Sequence, residues 1–332
     1  MKREPVAVLG GGAWGTILAQ LFSHNVPRVP LWVRDAELRE ELITTRTHPR
    51  ALPGLTLAAG VVPTDDLEAV VRGAELLILA VPTPAFRDLA RRVGEFAQGD
   101  QILVSGAKGL EEGTGARMSE ILIDETCVRR VGALAGPAYA GEMARGAPGA
   151  AVIGSGFQAV VERVQLRLAS ERIRVYGNTD LLGVELGGAL TNIITFACGI
   201  SDGLELGNGI KAVVLDRGLA EVTRLGVRLG AQASTFHGLS VLGDLMAAAL
   251  SGESRNFRLG VLLARGCSLQ EALEQAGPAE CIPTTRMALE LAQREGIETP
   301  LVSAMAKVLF EGVAPKDMIR ELMRRRSIYE GA

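Results

Sequence analysis

Between residues 6 and 176 the chain alternates two patterns: short runs that are apolar at almost every position, and longer runs whose apolar residues recur every three or four. The short runs at 6–9, 28–33, 75–81, 101–105, 131–135, 150–154 and 172–176 read as strands. The longer ones at 15–23, 65–72, 85–96 and 115–125 read as helices. A strand with no polar face is covered on both sides, and strands separated by helices run parallel, so this half is expected to be α/β, built on a parallel sheet. From about Thr179 the strand pattern stops. Helical spacing then runs through 181–200, 210–229, 239–250, 254–264, 269–275, 284–295, 300–311 and 315–326. The expected organisation is a doubly wound, mostly parallel sheet domain over residues 1–178 and an all-helical domain over 179–332, without a repeat or low-complexity linker between them.

The stretch 181–200 approaches the length of a membrane span, but it carries Glu185, Asn192 and four glycines and reads as a buried helix. Composition changes this picture little. Of 332 residues, 48% are hydrophobic and 22% charged, with a net charge of -3, which describes a globular chain without the basic excess that draws nucleic acid. Cys127, Cys198, Cys267 and Cys281 form no CxxC pair, and His24, His48 and His237 lie far from them, so neither a disulfide framework nor a metal site is expected. The opening MKREPVAVLGG enters a strand at once instead of an apolar leader, and a reducing, cytoplasmic setting is expected without an integral membrane segment.

Chemistry is first legible in VAVLGGGAWGTILAQLF. Gly10-x-Gly12-x-x-Gly15 follows a strand, opens a helix, and is followed by Asp35 at the end of the next strand. In a dinucleotide fold the first glycine permits the turn, the second lets the backbone approach a diphosphate, and the third allows close packing of the helix. The diphosphate then rests on free N–H groups at the helix start. Arg34 beside Asp35 leaves the cofactor as NAD or NADP, since a carboxylate suits a ribose hydroxyl and a guanidinium a 2′-phosphate. Only five residues are lysine (Lys2, Lys108, Lys211, Lys307 and Lys316) among 35 basic ones, so a lysine such as Lys108, directly after a strand, stands out.

The segments GGGAWGT, LWVRD, AVP, AKGLE, AGPAYAGE, LGGALTNI, GISDGL, RGLAEVTRLG, LGDL and SRN occur in an order and spacing that resembles the bacterial NAD(P)-dependent glycerol-3-phosphate dehydrogenases. The resemblance runs nearly end to end. It implies a Rossmann-type domain followed by an all-α substrate domain, a homodimer, reversible hydride transfer between NAD(P)H and dihydroxyacetone phosphate, and a place in glycerophospholipid synthesis. It also implies residue roles. The cofactor would be held by Gly10, Gly12, Ala13, Trp14, Gly15, Arg34, Lys108, Ala140, Arg255 and Glu280. A small phosphorylated substrate, glycerol 3-phosphate or dihydroxyacetone phosphate, would meet Lys108, Gly136, Ala138, Asn192, Asp244, Ser254, Arg255 and Asn256. The chemistry would fall to Lys108, Asp244 and position 191.

Position 191 departs from the family pattern. The family carries leucine-lysine-asparagine where this chain has Leu190-Thr191-Asn192. A lysine ammonium gives up a proton when its surroundings favour it, whereas a threonine hydroxyl only donates or relays a hydrogen bond near neutral pH. Two further departures lie close by in the pattern: Met246-Ala247-Ala248-Ala249, where threonine and cysteine are usual, and Gly141, where lysine is frequent. Three readings stay open from the sequence: a glycerol-3-phosphate dehydrogenase that uses Lys108 or an ordered water, an oxidoreductase of the same lineage acting on a related hydroxy or keto substrate, and a non-catalytic nucleotide-binding sensor or scaffold.

Overall fold

Residues 4–324 are described by a computed structural model. The main sheet contains β1 (Glu4–Leu9), β2 (Val29–Trp32), β5 (Val61–Thr64), β6 (Ala74–Leu79), β7 (Ile102–Ser105), β8 (Val131–Ala135), β9 (Gly149–Gly154) and β10 (Ile173–Asn178). A separate hairpin pairs β3 (Thr47–His48) with β4 (Leu52–Thr56). Between the strands lie α1 (Ala13–Phe22), α2 (Ala36–Thr44), α3 (Leu67–Gly73), α4 (Phe86–Gly94), α5 (Met118–Glu125), α6 (Ala140–Ala144) and α7 (Gln158–Leu168). The helical half contains α8 (Leu181–Gly203), α9 (Gly207–Arg228), α10 (Ala233–Phe236), α11 (Asp244–Ser251), α12 (Arg255–Ala264), α13 (Leu269–Ala276), α14 (Cys281–Glu295), α15 (Pro300–Phe310) and α16 (Pro315–Met323).

The sheet order is β10-β9-β8-β7-β6-β1-β2-β5. The winding reverses between β1 and β6, and in open α/β sheets this is where a crevice forms outside the carboxyl ends of the strands. Alternation along β1 is strict. Val6 and Val8 face the layer that includes Ile17, Leu18 and Phe22 of α1, whereas Ala7 and Leu9 face Phe86 and Leu89 of α4 and Ile121 of α5. Both faces are therefore buried, as an unbroken apolar strand requires. The sheet is mostly parallel, as expected, and the exception is that β8 and β9 pair antiparallel while β9 and β10 are parallel to each other. An apolar run carries no record of strand direction.

Helix α8 joins the two halves. Its first turns lie on the sheet edge, where Val184 packs with Ala135 and Val152, and its later turns form the centre of a helical core with Ile193, Ile194, Phe196 and Ile200 all buried. Side chains of this size each contribute about 1.5–3 kcal/mol on burial. This is the helix long and apolar enough to cross a membrane, and 83% of its most apolar window is buried against the protein itself. Helix α12 crosses α8 at backbone contact: a Cβ on Gly199 would stand 2.0 Å from Phe257 O, and one on Gly260 would stand 2.2 Å from Phe196 O. Two glycines thus set how close these two helices approach.

Several boundaries differ from the periodicity. Residues 115–117 precede α5 instead of opening it, and Arg117 donates to the Glu120 carboxylate twice, from its backbone N at 2.8 Å and from Nη2 at 2.7 Å. The span 239–250 divides into a π-helical turn, Leu239–Gly243, and α11. The hairpin, β5, α2, α6, α7 and α10 were not expected from the pattern. The expected end of the last helix at Arg326 falls outside the described residues.

Candidate active site

The glycine turn sits at the carboxyl end of β1. Gly10 has φ of 129°, and a Cβ there would stand 2.3 Å from Ala80 O; a Cβ on Gly15 would stand 2.0 Å from Gly10 O. The fold itself therefore demands these two glycines. Gly12 differs, because its φ of -70° and ψ of 176° suit any residue and a Cβ there would meet nothing within 4 Å. Its bare backbone faces open space at the start of α1, a helix with no side-chain cap and no acidic residue in its first turn. This cradle fits a dinucleotide diphosphate: unencumbered N–H groups at a positive helix end, with room for close approach. The turn is braced by Gly10 N donating to Trp32 O at 3.0 Å, Ala80 N to Leu9 O at 2.8 Å, and the buried His48, whose Nε2 lies 3.0 Å from Gly11 O.

Across the crevice, β7 delivers the loop that carries Lys108. Its ammonium donates to Asp244 Oδ1 at 2.8 Å and to Gly136 O at 3.2 Å. Gly136 presents that carbonyl with φ of 108°. Asp244 is the first residue of α11 and is buried, so its carboxylate is spent on Lys108 and not on capping the helix. Burial pushes the Asp244 carboxyl up, and the Lys108 charge opposes this. Tyr139, at the start of α6, has its phenol pushed up by burial and by the charges of Asp244, Glu142 and Glu253. A small cavity is lined by Lys108, Gly188 and Glu185. Glu185 is itself fully engaged, accepting from Arg117 Nη1 at 2.8 Å, Ser119 N at 2.8 Å and Ser119 Oγ at 2.5 Å.

Thr191 lies on α8, 2% exposed, and its hydroxyl donates to Gly188 O at 3.0 Å. The next residue, Asn192, accepts through Oδ1 from Asn256 Nδ2 at 2.8 Å, and Asn256 Oδ1 accepts from Cys281 N at 3.0 Å. Asn192 Nδ2 is buried without a hydrogen-bond partner. Ser254 is the N-cap residue of α12 and makes no side-chain cap bond, and Arg255 is the first helical residue and exposed. A guanidinium beside a hydroxyl and free helix N–H groups suits a phosphate. Glu280, pushed up by burial, is opposed by the Arg255 charge. Thr83 Oγ1 stands 3.5 Å from both Glu280 Oε2 and Lys108 O, at the seam of the two halves.

The N-terminal model of the NAD-dependent glycerol-3-phosphate dehydrogenases matches residues 5–161, and the C-terminal model of the same dehydrogenases matches residues 180–320. The chain belongs to this family. The glycerol-3-phosphate dehydrogenase [NAD(P)+] of Moorella thermoacetica is 43% identical over 329 residues, covering 99% of this chain and 98% of the relative. The crystal structure of the Coxiella burnetii glycerol-3-phosphate dehydrogenase superposes with a TM-score of 0.91 at 33% identity, covering 97% of this chain and 99% of that one. A ketopantoate reductase from Ralstonia eutropha, 16% identical with a TM-score of 0.60, shares the fold alone.

Within this dehydrogenase fold the residues singled out by sequence fall into three groups. Gly10, Gly12, Ala13, Trp14 and Gly15 form the turn, with Arg34 exposed just after β2. Lys108, Gly136 and Asp244 converge on one ammonium, while Ala138 and Ala140 flank Tyr139 and pack on the sheet domain. Asn192 and Asn256 meet directly, with Ser254, Arg255 and Glu280 around them. Thr191 makes no hydrogen bond to Lys108 or Asp244; its hydroxyl is turned back into its own helix. On α11 Met246 is exposed, and Ala248 and Ala249 are buried. Sequence reading missed Thr83, His48, Tyr139 and the Arg117–Glu185 pair. The motif AKGLE did contain a signal for one further contact: Glu111 accepts from Arg87 Nε and Nη2 at 2.6 and 2.7 Å and pins the Lys108 loop to α4.

Proposed function

We propose that the chain interconverts dihydroxyacetone phosphate and glycerol 3-phosphate with NAD(P)H or NAD(P)+, and that Lys108 handles the proton at the reacting oxygen. The observation that carries this is the Lys108–Asp244 pair, an ammonium held between the sheet domain and α11 at the mouth of the crevice. The bound nicotinamide supplies or accepts the hydride at the substrate carbon. As hydride arrives, negative charge grows on the carbonyl oxygen. A positioned ammonium stabilises that charge and donates the proton that completes the alcohol. Asp244 aims the Lys108 ammonium, and Gly136 O fixes its second direction. The Lys108 side chain is 34% exposed, so water restores its proton, and in the oxidation direction the neutral amine accepts one.

The substrate phosphate is assigned to Ser254, Arg255 and the first N–H groups of α12, with Asn192 Nδ2 as a further donor. Asn256 positions Asn192 and ties both to the start of α14. A cytoplasmic homodimer belongs to the same reading and rests on the family likeness. A second reading, nucleotide binding without turnover, is favoured by one observation: position 191 offers only a hydroxyl that is already donating to Gly188 O. Oxidation of NADH or NADPH with dihydroxyacetone phosphate separates the two. The natural chain turns over slowly, Thr191→Lys raises the rate, and Arg255→Ala abolishes it. Absence of turnover in both the natural chain and Thr191→Lys, with nucleotide binding intact by fluorescence, replaces the first reading with the second.

A further inference from the structure

Against the Lys108 loop lies a cavity of about 10 Å³, room for one water or one hydroxyl group. Ala107 of that loop, Ala135 at the carboxyl end of β8 and Gly188 of α8 give it apolar walls, and Lys108 and Glu185 give it charged ones. Both Glu185 oxygens are engaged, but unequally. Oε2 accepts from Arg117 Nη1 and Ser119 Oγ, whereas Oε1 accepts, among the described residues, from Ser119 N alone at 2.8 Å. A carboxylate oxygen accepts two hydrogen bonds, so Oε1 has a place for one more donor.

Most glycines of α8 are crowded. A Cβ on Gly183, Gly187, Gly199 or Gly203 would stand 2.7 Å or less from a neighbouring atom. Gly188 is different. It is buried in ordinary helical backbone, and the nearest atom to a Cβ there would be Ala135 Cβ at 3.7 Å, an ordinary contact with another wall of the cavity. Neither backbone conformation nor packing requires glycine at this position, and glycine is a destabilising choice inside a helix. The methyl of an alanine here would take up the cavity.

The cavity also lies at a suitable distance from the phosphate site. Asn192, which Asn256 ties to the start of α12, is one helical turn beyond Gly188 and nearly two beyond Glu185. At about 1.5 Å per residue that is roughly 6–10 Å along α8, about the span of a three-carbon phosphate ester. In dihydroxyacetone phosphate the carbonyl carbon stands between the phosphate arm and a hydroxymethyl group. With the phosphate at Ser254 and Arg255 and the carbonyl oxygen at Lys108, the hydroxymethyl group is the part left to be placed. We infer that its hydroxyl enters the cavity and donates to Glu185 Oε1, and that Gly188 is the specificity-determining residue that keeps the space open. The inference rests on the reaction proposed above. A site that pairs a substrate hydroxyl rejects the analogue without one, because its own buried polar group is then left short of a partner.

Reduction of two ketones with saturating NADH or NADPH tests this: dihydroxyacetone phosphate, and acetol phosphate, which carries a methyl group in place of the hydroxymethyl. Each takes a hydride from the nicotinamide at its carbonyl carbon and a proton from Lys108 at its oxygen, so the comparison isolates the hydroxyl. The natural chain is expected to favour dihydroxyacetone phosphate by about 10- to 100-fold in kcat/KM, the worth of one hydrogen bond to a charged group. Gly188→Ala should bring that ratio close to unity by slowing dihydroxyacetone phosphate alone, while thermal melting stays level or rises. Equal use of both ketones by the natural chain overturns the inference. So does a Gly188→Ala chain that slows both ketones alike or melts lower, since the glycine would then serve the fold. If neither ketone is reduced by the natural chain or by Thr191→Lys, the dehydrogenase reading itself falls, and this assignment with it.

Discussion

At the glycine turn the bracing groups come from β2, β6 and the β3–β4 hairpin, all within the first eighty residues, whereas the Lys108–Asp244 pair joins residues 136 apart and belongs to both halves of the chain. The turn is also over-determined in a way the reacting end is not. Gly10 and Gly15 have no space for a side chain, so their replacement disturbs the fold before it disturbs any ligand. Thr191 sits in α8 with its hydroxyl satisfied by Gly188 O of the same helix, so no other element of the fold depends on that hydroxyl. A nucleotide site woven into backbone packing resists change. A side chain that hangs from a helix and bonds only to its own backbone is replaced at little structural cost.

The largest effect is expected from Lys108→Ala, which lowers kcat by about 10²–10⁴-fold, the scale of a lost acid–base group. The same variant strips Asp244 of its countercharge. A buried carboxyl whose folded pKa stands above its unfolded value adds stability at low pH and loses it as pH rises through the folded value, so the melting deficit of Lys108→Ala should widen from about pH 5 to about pH 8. Equal melting deficits at both pH values would show that Asp244 does not depend on Lys108.

Next comes Arg117→Met, which leaves the buried Glu185 carboxylate without its guanidinium and should destabilise the chain by about 3–5 kcal/mol in denaturant unfolding. Burial already pushes Glu185 up, so this loss also grows with pH. The comparison is sharpened by two glycines three residues apart. Gly15→Ala forces a methyl against Gly10 O and should cost about 1–3 kcal/mol of stability. Gly12→Ala should cost under about 1 kcal/mol while weakening NAD(P)H binding, because its methyl enters open space reserved for the ligand. A Gly12→Ala chain that binds nucleotide normally would break the distinction between glycines kept for the fold and the one kept for the ligand.

The smallest effect is expected from Arg87→Met. Arg87 holds both the Glu111 and the Glu125 carboxyls below the usual range, and a depressed carboxylate adds stability above its unfolded pKa that disappears as pH falls. The difference between natural and variant melting should therefore vanish in acid. Turnover should fall only modestly, since the Lys108 loop keeps its link to Asp244.

Much of the layout was legible because it is periodic. Fully apolar runs marked seven strands of the main sheet, and heptad-like spacing marked the long helices. What was missed was short or directionless: the β3–β4 hairpin with His48 under the glycine turn, the five-residue α6, and the antiparallel step from β8 to β9. Within the site, the Gly10-x-Gly12-x-x-Gly15 turn could be read because its geometry is contained in six consecutive residues. Glu185 could be seen only as a charge in an apolar run, because its partner Arg117 lies 68 residues away. Asp35 read as a ribose acid, and only the start of α2 showed it to be a helix cap.

Local spacing was enough to read a sheet-bearing half followed by a helical half, and the run of motifs was enough to read the family, since both are written in neighbouring residues. Only the folded chain shows which neighbours Lys108 meets and that Asp35 and Glu185 are already committed to partners, because those are questions of desolvation and of distances of a few ångströms. Electrostatic effects fall off over those distances and depend on burial, and neither quantity is written along a sequence.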